Sequence, residues 1–163
     1  MITTKAVSED ADKPGLYIEL HSQFSAVLAG ERDFLANMAN SAAMLFHMLP
    51  QLNWAGFYLL KGNELVLGPF QGKPACVRIA MGRGVCGTAA QRRETIVVPD
   101  VHQFPGHIAC DDASQSEIVV PLIKESRLIG VMDLDSPVVA RFDEVDAKGL
   151  EEVARILLGA SDA

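Results

Sequence analysis

The chain has 163 residues, 49% hydrophobic and 21% charged, which describes one compact domain with a real core and leaves no room for a second cofactor-sized domain. A formal net charge of −7 at pH 7 works against binding a phosphate backbone or an anionic membrane, since both need clustered Lys and Arg. Nucleic acid and membrane are therefore not expected as partners, which leaves small ligands and other proteins.

The first residues, "MITTKAVSEDADKPG", lack the basic start and apolar run of a secretory signal. No stretch approaches the roughly 20 apolar residues of a membrane span, so a cytoplasmic protein is expected. Residues 1–13 are polar and expected to be frayed, with a single domain over 14–163. Leu16, Leu20, Phe24, Val27 and Leu28 fall on one helical face that stops at Gly30. Phe34, Met38, Ala42, Leu45 and Leu49 repeat the spacing between Asp33 and Pro50, which predicts a second helix packed on the first. From Asn53 the pattern changes to strands: "NWAGFYLL" and "ELVLGPF" flank a Lys61-Gly62-Asn63 hairpin turn. The series continues through "ACVRIAM", "TIVVP", "EIVVPLI" and "RLIGVMDLD". Asp143 then caps a last helix whose apolar face carries Leu150, Val153, Ile156 and Leu157. Helices at both ends of a run of hairpin-linked strands predict an α+β fold, an antiparallel sheet with the terminal helices on one face. Pro121 removes a ladder donor, so an edge, a bulge or a strand end is expected there.

Gly82, Gly84 and Gly87 in "MGRGVCGT" read G-x-G-x-x-G, the pattern of a dinucleotide-binding loop. That loop needs a helical crossover of about 10–12 residues before the next parallel strand. Only seven residues, Thr88 to Glu94, are available, so the glycines are read as opening a short helical turn.

The three cysteines are Cys76, Cys86 ten residues later and Cys110 a further 24 on. An odd number in a reducing compartment argues against a structural disulfide framework. No C-x-x-C or H-x-x-x-H hook is present, and His107 with Cys110 makes only an H-x-x-C fragment, so no metal is expected. Cys76 in its strand, and Cys86, fit small core hydrophobes. Cys110 does not, because it lies in a polar loop beside Asp111 and Asp112, a setting suited to redox chemistry.

Alternation in "IGVMDLD" places Ile129, Val131, Asp133 and Asp135 on one face of a strand and Leu128, Met132 and Leu134 on the other. Two neighbouring carboxylates repel, which is tolerated when one holds a proton or a cation lies between them. A solvated strand end accounts for the same pattern. Glu117, at the start of "EIVVPLI", can join the pair. Trp54, Gly56 and Tyr58 share a face, with a side-chain gap at Gly56 suited to a small apolar group, although ordinary core packing explains Trp54 equally well from spacing alone.

The blocks "GPFQG", "GVCG" and "FPGHIACD", within a likeness running from about Leu16 to Leu158, resemble the free methionine-(R)-sulfoxide reductase family, a branch of the GAF-domain fold. The resemblance implies a sheet of five to six strands with the helices on one face and a pocket on the other. It further implies Cys110 as nucleophile, Cys76 as resolving thiol and Cys86 as a second resolving or relay thiol. Its aromatic wall falls on Trp54 and Tyr58, and its three carboxylates on Glu117, Asp133 and Asp135, for proton donation and substrate binding. The implied activity is reduction of free methionine (R)-sulfoxide after oxidative stress, regenerated by thioredoxin, with no cofactor and usually as a homodimer.

The parts suit that chemistry. A thiolate attacks the sulfoxide sulfur while an acid protonates the departing oxygen, and a sulfenic acid then condenses with a second thiol. Clustered carboxylates can bind the ammonium that only the free amino acid carries. The substrate carboxylate has no obvious Arg partner, and backbone N–H groups of the "DDASQSE" loop are expected to receive it. Two other readings use the same residues: a non-catalytic GAF sensor for a small ligand or nucleotide, suggested by "RFDE", and a thiol redox sensor without a substrate. The absence of an output domain in 163 residues weighs against both.

Overall fold

The computed structural model describes Thr4 and residues 12–163. The expected frayed stretch over 1–13 lies mostly outside them, but Asp12 and Lys13 are described and already start a helix. Helix α1 (Lys13–Val27) is capped by the Asp12 side chain, which accepts from the Gly15 N–H, with Pro14 in the first turn. Helix α2 (Phe34–Met48) is capped in the same way by Asp33, through the Ala36 N–H.

Strands β1 (Trp54–Lys61) and β2 (Glu64–Gly72) form the expected hairpin, with Lys61 opposite Glu64 and Gly62 at φ 65°. Strand β3 (Arg78–Ala80), helix α3 (Gly84–Arg92) and strand β4 (Ile96–Val98) follow. Strands β5 (Ser116–Lys124) and β6 (Arg127–Ser136) and helix α4 (Glu144–Ala160) complete the chain. The sheet is antiparallel with the order β3-β2-β1-β6-β5-β4.

Each face of the sheet has its own apolar cluster. Ala55, Phe57, Ile118, Val120, Met132 and Leu134 pack under α1, α2 and α4. Tyr58, Leu65, Ile79, Val119 and Val131 pack with Val85, Cys86 and Ala89 of α3 on the opposite face. Helix α2 touches α1 as expected but rests mainly on β1 and β2, while α1 packs chiefly on α4. Gly149 permits the α1–α4 approach, because a Cβ there collides with the Tyr17 ring.

Strands β3 and β4 occupy opposite edges of the sheet, so α3 crosses the whole face between them. That arrangement is incompatible with a parallel β-α-β dinucleotide unit. Gly84 takes a left-handed φ of 59° at the start of α3, and a Cβ on Gly87 runs into the Ala80 carbonyl oxygen. The glycines serve a tight strand-to-helix entry.

Three local expectations need correction. Cys76 precedes β3 and lies in a half-buried loop, not in a strand. A bulge opposite Leu122 and Ile123 inserts Ile129 into β6, so Ile129 packs toward the helices and Leu128 toward α3, the reverse of simple alternation. The gap at Gly56 is filled, because a Cβ there meets the Phe70 Cβ and the Trp54 ring. Pro121 behaves as expected, since β4 pairs only with Glu117 to Val119 and leaves β5 an edge at Pro121.

Candidate active site

The face opposite the terminal helices carries a pocket with about 550 Å³ of empty space, continuous with solvent. Strand pairing builds its floor. Glu117 on β5 stands directly opposite Asp135 on β6, and Asp133 lies two residues away on the same face. All three expected carboxyls therefore meet.

Glu117 is 5% and Asp133 6% exposed, so water cannot solvate their charges. Burial pushes the pKa of Glu117, Asp133 and Asp135 well above the carboxylate range, and mutual repulsion adds to it: Asp135 acts on Glu117, Glu117 on Asp133, and Asp133 on Asp135. The Asp133 Oδ1 atom is buried without a hydrogen-bond partner among the described residues. The raised values favour the protonated carboxyls, and such a cluster can release a proton to a bound group.

Trp54 and Tyr58 line the pocket with ring centroids 6.0 Å apart, and Phe70 also stacks on Trp54 at 5.3 Å. Their polar tips do a second job that spacing alone did not suggest. Tyr58 Oη donates to the Cys76 carbonyl at 2.9 Å and Trp54 Nε1 to the Lys73 carbonyl at 3.1 Å. The aromatic wall thereby fixes the segment that carries Cys76. Burial, then the Asp133 charge, raises the Tyr58 pKa and keeps its hydroxyl protonated.

Cys76 and Cys110 are joined by a disulfide with Cα atoms 5.9 Å apart, and Cys110 lines the pocket. Cys110 belongs to an exposed loop pinned by its neighbour Asp111, whose carboxylate accepts from the Ala113 N–H at 2.9 Å and from Asn53 Nδ2 at 3.2 Å. The Ala113 N–H is the main reason the Asp111 pKa is lowered. Cys86 stays free in the first turn of α3, buried but lining the pocket, with Sγ 4.0 Å from Glu117 Oε1. Burial, reinforced by Asp133 and Glu117, raises its thiol pKa well above the ordinary value.

Several pocket residues carried no usable sequence signal. His107 Nε2 lies 3.5 Å from Glu117 Oε2, and burial lowers its pKa. Arg83 and Lys73 line the rim, so cations do stand near the pocket where none was obvious in the sequence. The backbone N–H groups expected to receive a carboxylate are largely engaged: Ala113 and Ser114 bond to Asp111, and Gln115 bonds to the Ser136 carbonyl.

An antiparallel sheet with helices on one face and this pocket on the other is the architecture of a GAF domain, and the GAF domain family matches residues 20–158. The chain is 54% identical over 142 residues to the free methionine-R-sulfoxide reductase of Escherichia coli (strain K12), covering 87% of this chain and 86% of that protein. The solved structure of free methionine-R-sulfoxide reductase from Neisseria meningitidis in complex with its substrate superimposes with a TM-score of 0.93 at 48% identity, over 98% of this chain and 95% of that one. A putative GAF sensor protein from Burkholderia vietnamiensis superimposes with a TM-score of 0.90 at 58% identity, over 93% and 96% of the two chains. The chain belongs to the free methionine-R-sulfoxide reductase family of GAF domains. Among the described residues no helix is long and apolar enough to cross a membrane.

Proposed function

We propose that this protein reduces free L-methionine (R)-S-oxide to L-methionine, with Cys110 as nucleophile. The observation that carries the reading is the disulfide that joins Cys76 to Cys110, a residue lining the pocket that Glu117, Asp133 and Asp135 also line. In the reduced protein the Cys110 thiolate attacks the sulfoxide sulfur, and a carboxyl among Glu117, Asp133 and Asp135 protonates the oxygen. The hydroxyl passes from the substrate sulfur to the Cys110 sulfur as the S–S bond between them breaks, so methionine leaves and Cys110 becomes a sulfenic acid. The Cys76 thiol then attacks the Cys110 sulfur, water departs, and the disulfide forms. An external dithiol restores both thiols by exchange.

Binding follows from the same geometry. The S-methyl group packs on Trp54 and Tyr58, and the ammonium faces the acidic floor. Arg83 and Lys73 at the rim supply positive charge for the substrate carboxylate. A methionine residue inside a peptide lacks both charged groups, so selectivity for the free amino acid follows. Thioredoxin as reductant, a homodimer as working unit, a cytoplasmic location and a role after oxidative stress belong to this reading and rest on the family resemblance. Cys86 is buried and unpaired, which favours Cys76 as the direct resolving thiol.

Purified protein with dithiothreitol is expected to consume the R epimer of free methionine sulfoxide and spare the S epimer, and Cys110→Ser to abolish turnover. Cys76→Ser should retain one turnover and lose thioredoxin-supported cycling. No consumption of either epimer would overturn the enzyme and leave the sensor reading, for which the sulfoxide binds without being reduced.

A further inference from the structure

We propose that Cys86, Glu117 and Asp133 form a binding site for a thiophilic divalent cation of the Zn²⁺ class, lying in the floor of the substrate pocket. A ligand atom from each, the Cys86 thiol sulfur and one carboxylate oxygen from each acid, lies within 4.8 Å of the other two. Zn–S bonds of about 2.3 Å and Zn–O bonds of about 2.1 Å put tetrahedral ligand atoms about 3.4–3.6 Å apart. Cys86 Sγ and Glu117 Oε1 stand at 4.0 Å, so small side-chain rotations bring the set into range.

The second, independent observation is the Asp133 Oδ1 atom. It is an acceptor on a side chain more than nine-tenths buried that lines the pocket, and it has no hydrogen-bond partner among the described residues. An ammonium group accounts for the carboxylates but not for a thiol set among them. One thiolate with two carboxylates is a donor set that suits a borderline-soft ion over Mg²⁺ or Ca²⁺, which prefer all-oxygen shells. The fourth position opens to the pocket, so water or a substrate atom completes the tetrahedron. Binding replaces the protons on the thiol and carboxyls with the ion, and those protons are released to buffer.

An ion there occupies the acidic floor and removes the proton donor, so it competes with the sulfoxide. That consequence rests on the proposed function, whereas the metal site does not. The oxidised protein offers a clean test, because the Cys76–Cys110 disulfide leaves Cys86 as the free thiol. Titration with Zn²⁺ by calorimetry in two buffers should give one site per chain with proton release, and Cd²⁺ should give thiolate charge-transfer absorption. Cys86→Ser should abolish the Cd²⁺ band and weaken Zn²⁺ binding by at least about tenfold, as should Asp133→Asn, with folding checked by thermal melting. Absence of stoichiometric binding, or binding unchanged in both variants, overturns the site. In the Cys76→Ser/Cys110→Ser protein, free methionine (R)-sulfoxide should reduce the apparent Cd²⁺ affinity. Tight Cd²⁺ binding that the sulfoxide does not weaken refutes the competition while leaving the metal site standing.

Discussion

Glu117, Asp133 and Asp135 are held where ionisation is costly, and function and stability therefore oppose each other at these positions. Their folded-state pKa values lie above the unfolded values near 4. Below about pH 4 both states are protonated and no stability is lost, and stability falls as pH rises from there through the raised values. Asp133→Asn should accordingly raise stability at pH 7 by about 1–2 kcal/mol, or ~3–6 °C in Tm, with the gain closing toward pH 4 while reductase activity is lost. Thermal melts across that range check the sign, and a variant no more stable at pH 7 contradicts it. In the proposed mechanism the acid must also be protonated to act, so kcat should decline as pH rises through the cluster's values, and Glu117→Gln should change that alkaline limb. Arg83→Ala should raise KM for the free sulfoxide with a smaller effect on kcat, measured by steady-state kinetics.

The junction of α1 and α4 shows how caps position whole elements. Asp143 accepts from the Val145 and Asp146 N–H groups, and Asp146 returns a bond to the Asp143 N–H, which completes a capping box. Lys13 from the first turn of α1 donates to both carboxylates, and its hydrogen bond is the main reason the Asp143 pKa falls to about 2. Asp143→Ala should cost about 1 kcal/mol, measurable by urea denaturation. The native contribution is present at neutral pH and disappears as pH drops from about 4 through 2, so the variant's deficit should shrink in acid. Gly149→Ala should be worse, because the Tyr17 ring has to move. At this scale the helices and the hairpin were readable, since apolar spacing and capping residues are local. The ends of β3 and the bulge at Ile129 were not, because both depend on which strand lies alongside.

Across the whole molecule, the Cys76–Cys110 disulfide ties an exposed loop to the segment leading into β3, over 34 residues of sequence. Reduction removes that tie, while the two apolar clusters stay intact. Amide exchange should therefore accelerate in residues 104–115 on reduction and stay unchanged in β1 and β6; equal exchange in both redox states would falsify this.

The amino-acid sequence by itself determined the α+β class, the places of α1, α2 and α4 and the acidic face of β6, because period, caps and alternation act between near neighbours. Recognisable blocks extended that to the family and its candidate residues. The resemblance implied Cys76 as the partner of Cys110, and only the tertiary structure shows the two joined, with the strand order setting Cys86 apart. With β3 and β4 at opposite edges, α3 must cross the pocket face, and that crossing buries Cys86 against Glu117 and Asp133. The hooks sought for a metal were local spacings, whereas the thiol and two carboxylates that meet here come from α3, β5 and β6. Their meeting is a consequence of packing, which no spacing along the chain encodes.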